Sequence, residues 1–102
     1  MYKRQGKWYF FEYDPKWKDI LKVWDEYPLI KLMEIKRDRL LGANIHYLKP
    51  RARLGSLNSQ EAPMSTLHYY IPKNADNLFF EVGEEDVAAM SQLPLEKFHR
   101  RR

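Results

Sequence analysis

Few residues in this chain have the type and spacing to do chemistry. Glu34-Ile-Lys36 has the E-x-K spacing of metal-dependent nucleases. In a strand, side chains two apart share a face. A carboxylate holding Mg²⁺ and an ammonium orienting water would then stand side by side. Asp25 would be the second carboxylate and Asp38 a spare. Two fixed positions specify little, and the same pair reads equally as a charged strand edge that resists aggregation. His46, His68 and His99 show no H-x-H or H-x₃-H spacing and no carboxylate neighbour that would complete a metal site. His46, between Ile45 and Tyr47, reads as a hydrogen-bonded sheet residue. Glycine is too scarce for a phosphate-binding or dinucleotide turn, G-x-S-x-G is absent, and the loop hydroxyls have no matched base. The residues therefore point away from an enzyme, with no metal and no cofactor.

Two basic features point to binding instead. Tyr47-Leu-Lys-Pro-Arg-Ala-Arg53 interleaves Lys49, Arg51 and Arg53 with an aromatic residue. If extended, the stretch puts its three charges on one side as a phosphate track, with Tyr47 free to stack on a base. Arg100, Arg101 and Arg102 would add non-specific phosphate contacts from a tail. The plainer alternative is a solvated loop and an unstructured tail. A third feature is Trp8-Tyr-Phe-Phe-Glu-Tyr13, which alternates aromatics across both faces of one strand. One face should enter the core. The other must be covered by the rest of the fold, by a missing N-terminal segment, or by a protein partner.

Charge must be dissected before it supports a partner. The chain of 102 residues carries 18 Lys and Arg against 14 Asp and Glu, a formal charge of +4, and a pI of about 9.3. Tyr2-Lys-Arg-Gln5 reads back into codons as one frame of a transposon end used to fragment DNA for sequencing. Residues 1–5 are therefore expected to be a sequencing-adaptor scar on a metagenomic fragment that lacks its true N-terminus, to pack poorly and to make no functional contact. Without Lys3 and Arg4 the balance is 16 basic to 14 acidic, or +2. Without Arg100 to Arg102 as well it is 13 to 14, or −1. The body is near neutral, so basic character lies in local clusters and a general affinity for nucleic acid does not follow from pI.

The elements that must position these residues fit one small domain over residues 6–99, with 100–102 as a basic tail. Three Trp, seven Tyr and five Phe fill a modest core with few side chains. No cysteine is present for disulfides or thiolate sites, and no apolar run approaches the roughly 20 residues of a membrane helix. A strand runs from Trp8 and stops at Asp14-Pro15. Trp17, Ile20, Leu21 and Trp24 have helical spacing over Lys16 to Tyr27, with an aromatic-rich excursion loop as the alternative. Leu29 to Lys36 and Leu40 to Leu48 read as a hairpin. In its second strand Leu41, Ala43, Ile45 and Tyr47 share a face, and Gly42 marks a bulge or close backbone approach. From Lys49 to Pro63 the composition is loop-like, with a short helical turn starting at Pro50 and stopped by Gly55. Leu67 to Ile71 and Leu78 to Val82 are short strands joined by a turn over Pro72 to Asn77. A helix from Glu84 to about Gln92 carries three acids in its first turn, complementing the helix dipole. The fold class is α+β, mainly β: a small, bent antiparallel sheet with a short C-terminal helix. Closure into an SH3-like barrel would remove its edges.

Gly6 to Lys16 (G-K-W-Y-F-F-E-Y-D-P-K), Trp24 to Ile30 (W-D-E-Y-P-L-I) and Leu40 to Arg51 (L-L-G-A-N-I-H-Y-L-K-P-R) resemble small proteins of T4-like tailed phages. So does the closing F-E-V-G-E-E-D-V-A-A-M-S-Q-L-P-L-E-K-F. The resemblance covers most of residues 6–98 and points to the T4-like phage DNA end protector group. It implies a non-enzymatic protein bound to the ends of packaged DNA, protecting them from host exonuclease. Its place would be the virion or the host cytoplasm, with DNA or phage structural proteins as partners and no membrane. Lys49 stands where the group tends to have proline. The stretch between Leu54 and Leu67 is shortened, so the group's central helices are expected to be absent. No catalytic residue carries over.

Overall fold

Aromatic and branched side chains dominate the middle of the chain's strands, and the sheet is built around the most aromatic of them. The computed structural model describes residues 3–58, 62–72 and 79–100. β1 (Trp8–Phe11) lies between β3 (Leu29–Ile35) and β6 (Phe79–Val82), and β4 (Leu40–Asn44) and β5 (Leu67–Tyr70) extend the sheet beyond β3. The order β5-β4-β3-β1-β6 is antiparallel throughout. It does not close: β5 and β6 end the sheet, so the SH3-like barrel is not formed. A second, two-stranded ribbon pairs β2 (Val23–Asp25) with β7 (Phe98–Arg100), Trp24 lying opposite His99.

Both faces of β1 are used within the chain. Tyr9, Phe11 and Tyr13 enter an aromatic core with Ile30, Leu32, Leu40, Tyr70 and Phe79. Phe11 meets Phe79 at 4.3 Å between ring centres, and Tyr70 packs edge-on against both Phe11 and Tyr13. Trp8 and Phe10 face the other way, against Leu29, Ile45 and the apolar side of α2 (Glu84–Ser91) at Val87 and Met90. The helix therefore does the covering that closure would have done.

The β3–β4 hairpin turns at Lys36 to Arg39, where the Lys36 N–H donates to the Arg39 carbonyl at 2.9 Å. Its register shifts by one residue between Leu32 and Glu34, opposite Gly42 and Leu41. Gly42 makes the expected close approach, for a Cβ there would sit 2.8 Å from Ile30 Cδ1. The strand ends at Asn44, and Ile45–Tyr47 form a single 3₁₀ turn. The two-residue alternation expected through Tyr47 is broken there, where the chain turns out of β4.

Lys16 to Tyr27 is not a helix. Isolated i→i+3 bonds (Ile20 to Trp17, Leu21 to Lys18) lead into β2, so the excursion-loop alternative holds. Trp17 and Ile20 are 54% and 70% exposed, so that periodicity buries no face. From Lys49 the chain forms α1 (Pro50–Leu57), with proline at its first turn as expected. Gly55 does not stop it. A helical glycine costs only about 1 kcal/mol against alanine, and α1 is anchored two residues earlier at Arg53. Arg100, expected as the first residue of the tail, is instead the last residue of a strand.

The segment before β1 packs more closely than its reading as a scar predicts. The Arg4 N–H donates to the Tyr9 hydroxyl at 2.7 Å, its guanidinium pairs with Glu81 at 3.2 Å, and the Lys3 ammonium lies 4.2 Å from the Phe79 ring centre. Gly6 takes φ +83, a left-handed conformation that suits glycine. Met1 and Tyr2, the turn over residues 73–77 with Leu78, and Arg101 and Arg102 lie outside the described residues.

Candidate nucleic-acid interface

A buried polar seam joins the ribbon to the end of β4. Asp25, 1% exposed, accepts four hydrogen bonds. Its Oδ1 takes the N–H groups of Tyr27 (3.1 Å) and Lys97 (3.0 Å), and its Oδ2 takes Asn44 Nδ2 (3.1 Å) and His46 Nδ1 (2.8 Å). Burial alone would raise this carboxyl, but the donors from His46, Asn44 and Lys97 outweigh it and hold the pKa below its ordinary value. Ionised Asp25 can only accept, so the shared hydrogen sits on His46 Nδ1. Asn44 Oδ1 in turn accepts the N–H groups of His46 (3.0 Å) and Leu29 (3.4 Å). His46 Nε2 has no hydrogen-bond partner among the described residues. Two readings change here: His46 has a carboxylate partner in space, and it sits on the 3₁₀ turn rather than in a strand.

Arg53 is the second member of the seam. Only 2% exposed, it spends its guanidinium on main-chain carbonyls. Nε donates to Leu48 (2.9 Å) and Ile45 (3.1 Å), Nη1 to Ser91 (2.6 Å), and Nη2 to His46 (3.3 Å), with Glu96 Oε1 also at 3.3 Å from Nη2. Arg53 is therefore not part of a phosphate track. The extended geometry that would align it with Lys49 and Arg51 is replaced by a helix, whose turn sends Arg53 inward while Lys49 and Arg51 stay exposed.

Above the seam lies a groove of about 370 Å³ between the ribbon and the start of α1. Val23, Leu48, Pro50 and Phe98 give it an apolar lining, Lys49 and Arg100 are its exposed cations, and Glu96 and the buried Arg53 also line it. Four of the residues expected to contact nucleic acid, Tyr47, Lys49, Arg53 and Arg100, thus line one groove although some fifty positions separate the last from the others. Tyr47 is half-buried. Its ring stacks on His68 at 4.0 Å and meets Phe98 edge-on, so the face toward His68 is closed to a base. Burial, and then the Asp25 charge, push its hydroxyl up to about 12, and the Arg100 guanidinium works against them. The first turn of α1 contains no acid, so nothing offsets Lys49 and Arg51 there.

The nuclease constellation is not assembled. Asp25 is bonded to Asn44, which pairs with Ile30, and Glu34 stands four residues further along β3. That is roughly 13 Å at the usual strand rise. Glu34 is instead 3.5 Å from Lys36, and Asp38 pairs with Arg39 at 3.1 Å, all at the exposed hairpin end. Among the described residues no three metal-ligating side chains converge. His99 stacks on Trp24 at 4.2 Å and lies 2.7 Å from Glu26, which pins the ribbon. Neither histidine–carboxylate pair has a spacing signal in the sequence, since the partners lie 21 and 73 residues apart.

No curated protein sequence and no solved structure matches this chain. A family model does, over residues 2–61, a span holding Asp25, Asn44, His46, Lys49, Arg51 and Arg53. With more than half of its length matched, the chain belongs to the family of the phage T4 terminal DNA protecting protein.

Proposed function

We propose that this protein is a non-enzymatic phage protein that binds DNA at its ends, with Lys49, Arg51 and Arg100 as its phosphate contacts. The observation that carries this reading is the convergence of Lys49 and Arg100 on one groove, with Arg51 exposed in the first turn of α1. Membership of a family that protects DNA termini supplies the ligand class. Arg101 and Arg102 would extend the same basic edge. Bound at a terminus, the protein would block an exonuclease sterically, in the virion or in the host cytoplasm. Binding to linear duplex should weaken steeply with salt. Lys49→Ala, Arg51→Ala and Arg100→Ala should each reduce the slope of log K against log salt by about 0.9. The same variants should shorten the survival of linear DNA exposed to an exonuclease. Salt-insensitive binding, or binding untouched by all three changes, would rule the groove out.

A second reading rests on a different surface. Phe80 is 57% exposed and Leu93 49% exposed, and both border a depression with Phe10, Val82 and Met90. An apolar patch of this kind suits a phage structural protein as partner. Phe80→Ser would weaken that association and leave DNA binding intact.

A further inference from the structure

We infer that the groove between the ribbon and α1 takes a single unpaired nucleotide at the end of a DNA strand, rather than the side of a duplex. This rests on the DNA-binding reading above and narrows it. The side of a duplex offers phosphates and sugars, which call for an exposed polar strip. This groove is instead lined by Val23, Leu48, Pro50 and Phe98 beside two exposed cations, Lys49 and Arg100, while its third cation, Arg53, is buried. Such a slot fits a ligand that is flat and apolar at one end and anionic at the other. The base and sugar would lie against Val23, Leu48 and Phe98, and the phosphate would meet Lys49 and Arg100. A volume of about 370 Å³ is at the small end of ligand-sized sites and holds one nucleotide, not several.

The chemistry of the buried cation agrees. Arg53 has its donors committed to carbonyls and to Glu96, so it offers no phosphate site in the groove. An anion would meet Lys49 and Arg100, and the uncharged part of the ligand would lie against the apolar lining. A paired base cannot reach it, because pairing and stacking hold it inside the duplex. A frayed or overhanging terminal base can, at little unstacking cost.

The test uses hairpin duplexes whose open end is blunt or carries a three-nucleotide overhang, with binding followed by fluorescence anisotropy at fixed salt. The overhang should bind about tenfold more tightly, the stacking and burial of one base. Pro50→Glu places a carboxylate beside the slot at a helix position that tolerates acids, so the fold should survive. It should abolish the overhang preference, and a thermal melt checks the fold. A deoxynucleoside monophosphate should shift the amide signals of Val23, Tyr47 and Phe98 in the wild type and not in Pro50→Glu. Equal affinity for both hairpins, with no shifts, overturns the slot while DNA binding stands. Absence of binding to either hairpin overturns the DNA-binding reading itself.

Discussion

The aromatic core and the polar seam are both shut away from water, yet they are held by different forces. Around Phe11, Tyr13, Tyr70 and Phe79 the stabilisation comes from buried area and edge-to-face ring contacts. Such contacts tolerate a change of shape if volume is roughly kept. Around Asp25 and Arg53 it comes from hydrogen bonds to named atoms, four on one carboxylate and several on one guanidinium. Removing either partner there strands groups that have no access to water. The core supports the sheet, whereas the seam fixes the ribbon and α1 against it. The walls of the groove are therefore set by the part of the molecule least tolerant of substitution.

Four changes would break or sharpen this contrast. Arg53→Met keeps the side-chain bulk and removes every donor, and should destabilise by about 3–5 kcal/mol in urea unfolding. Gly42→Ala forces a methyl to within 2.8 Å of Ile30 Cδ1 at the core's edge, and should cost about 1–3 kcal/mol. Phe11→Leu, inside the core, should cost only about 1–2 kcal/mol, well below Arg53→Met despite the greater aromatic surface lost. Their order in chemical denaturation checks the comparison directly. The fourth change is pH.

Asp25 is held below its ordinary pKa of 3.8 by the donors that outweigh its burial. Glu26 is held below 4.5, chiefly by its hydrogen bond to His99. A depressed carboxylate stabilises the fold fully above its unfolded pKa and loses that contribution as pH falls through the folded one. Wild-type stability should therefore decline on acidification below pH 4.5. Asp25→Asn should flatten part of that decline. Phe11→Leu should lower the whole profile without changing its slope. Identical profiles for the two variants would erase the distinction between seam and core.

Strand patterning made much of the sheet readable, because each strand buries a face and local composition records that. Trp8–Phe11, Leu29–Ile35 and the short strands at Leu67 and Phe79 lie where the aromatic and branched residues cluster. The helical spacing at Trp17, Ile20 and Leu21 misled, because no apolar surface is left for that face once Tyr13 and Tyr70 have met. Trp24 packs against the core, and it does so from a strand. At the groove, Lys49 and Arg100 were readable as cations, but their convergence was not. It depends on β2 pairing with β7, a contact between short segments about 75 residues apart. Arg53 looked like its neighbours. Nothing local marks an arginine whose partners include the carbonyl of Ser91, 38 residues away. Asp25 and His46 likewise carry no spacing rule.

The pairing of β2 with β7 also sets an order of events during synthesis. The strands β1, β3 and β4 can find one another early, but the ribbon, the Lys97 donor to Asp25 and the Arg100 side of the groove need the chain to have been made as far as residue 100. A nascent chain therefore carries an unfinished seam until that point. Interruption between Ser91 and Phe98 leaves β2 without its partner strand and the groove without Phe98 and Arg100.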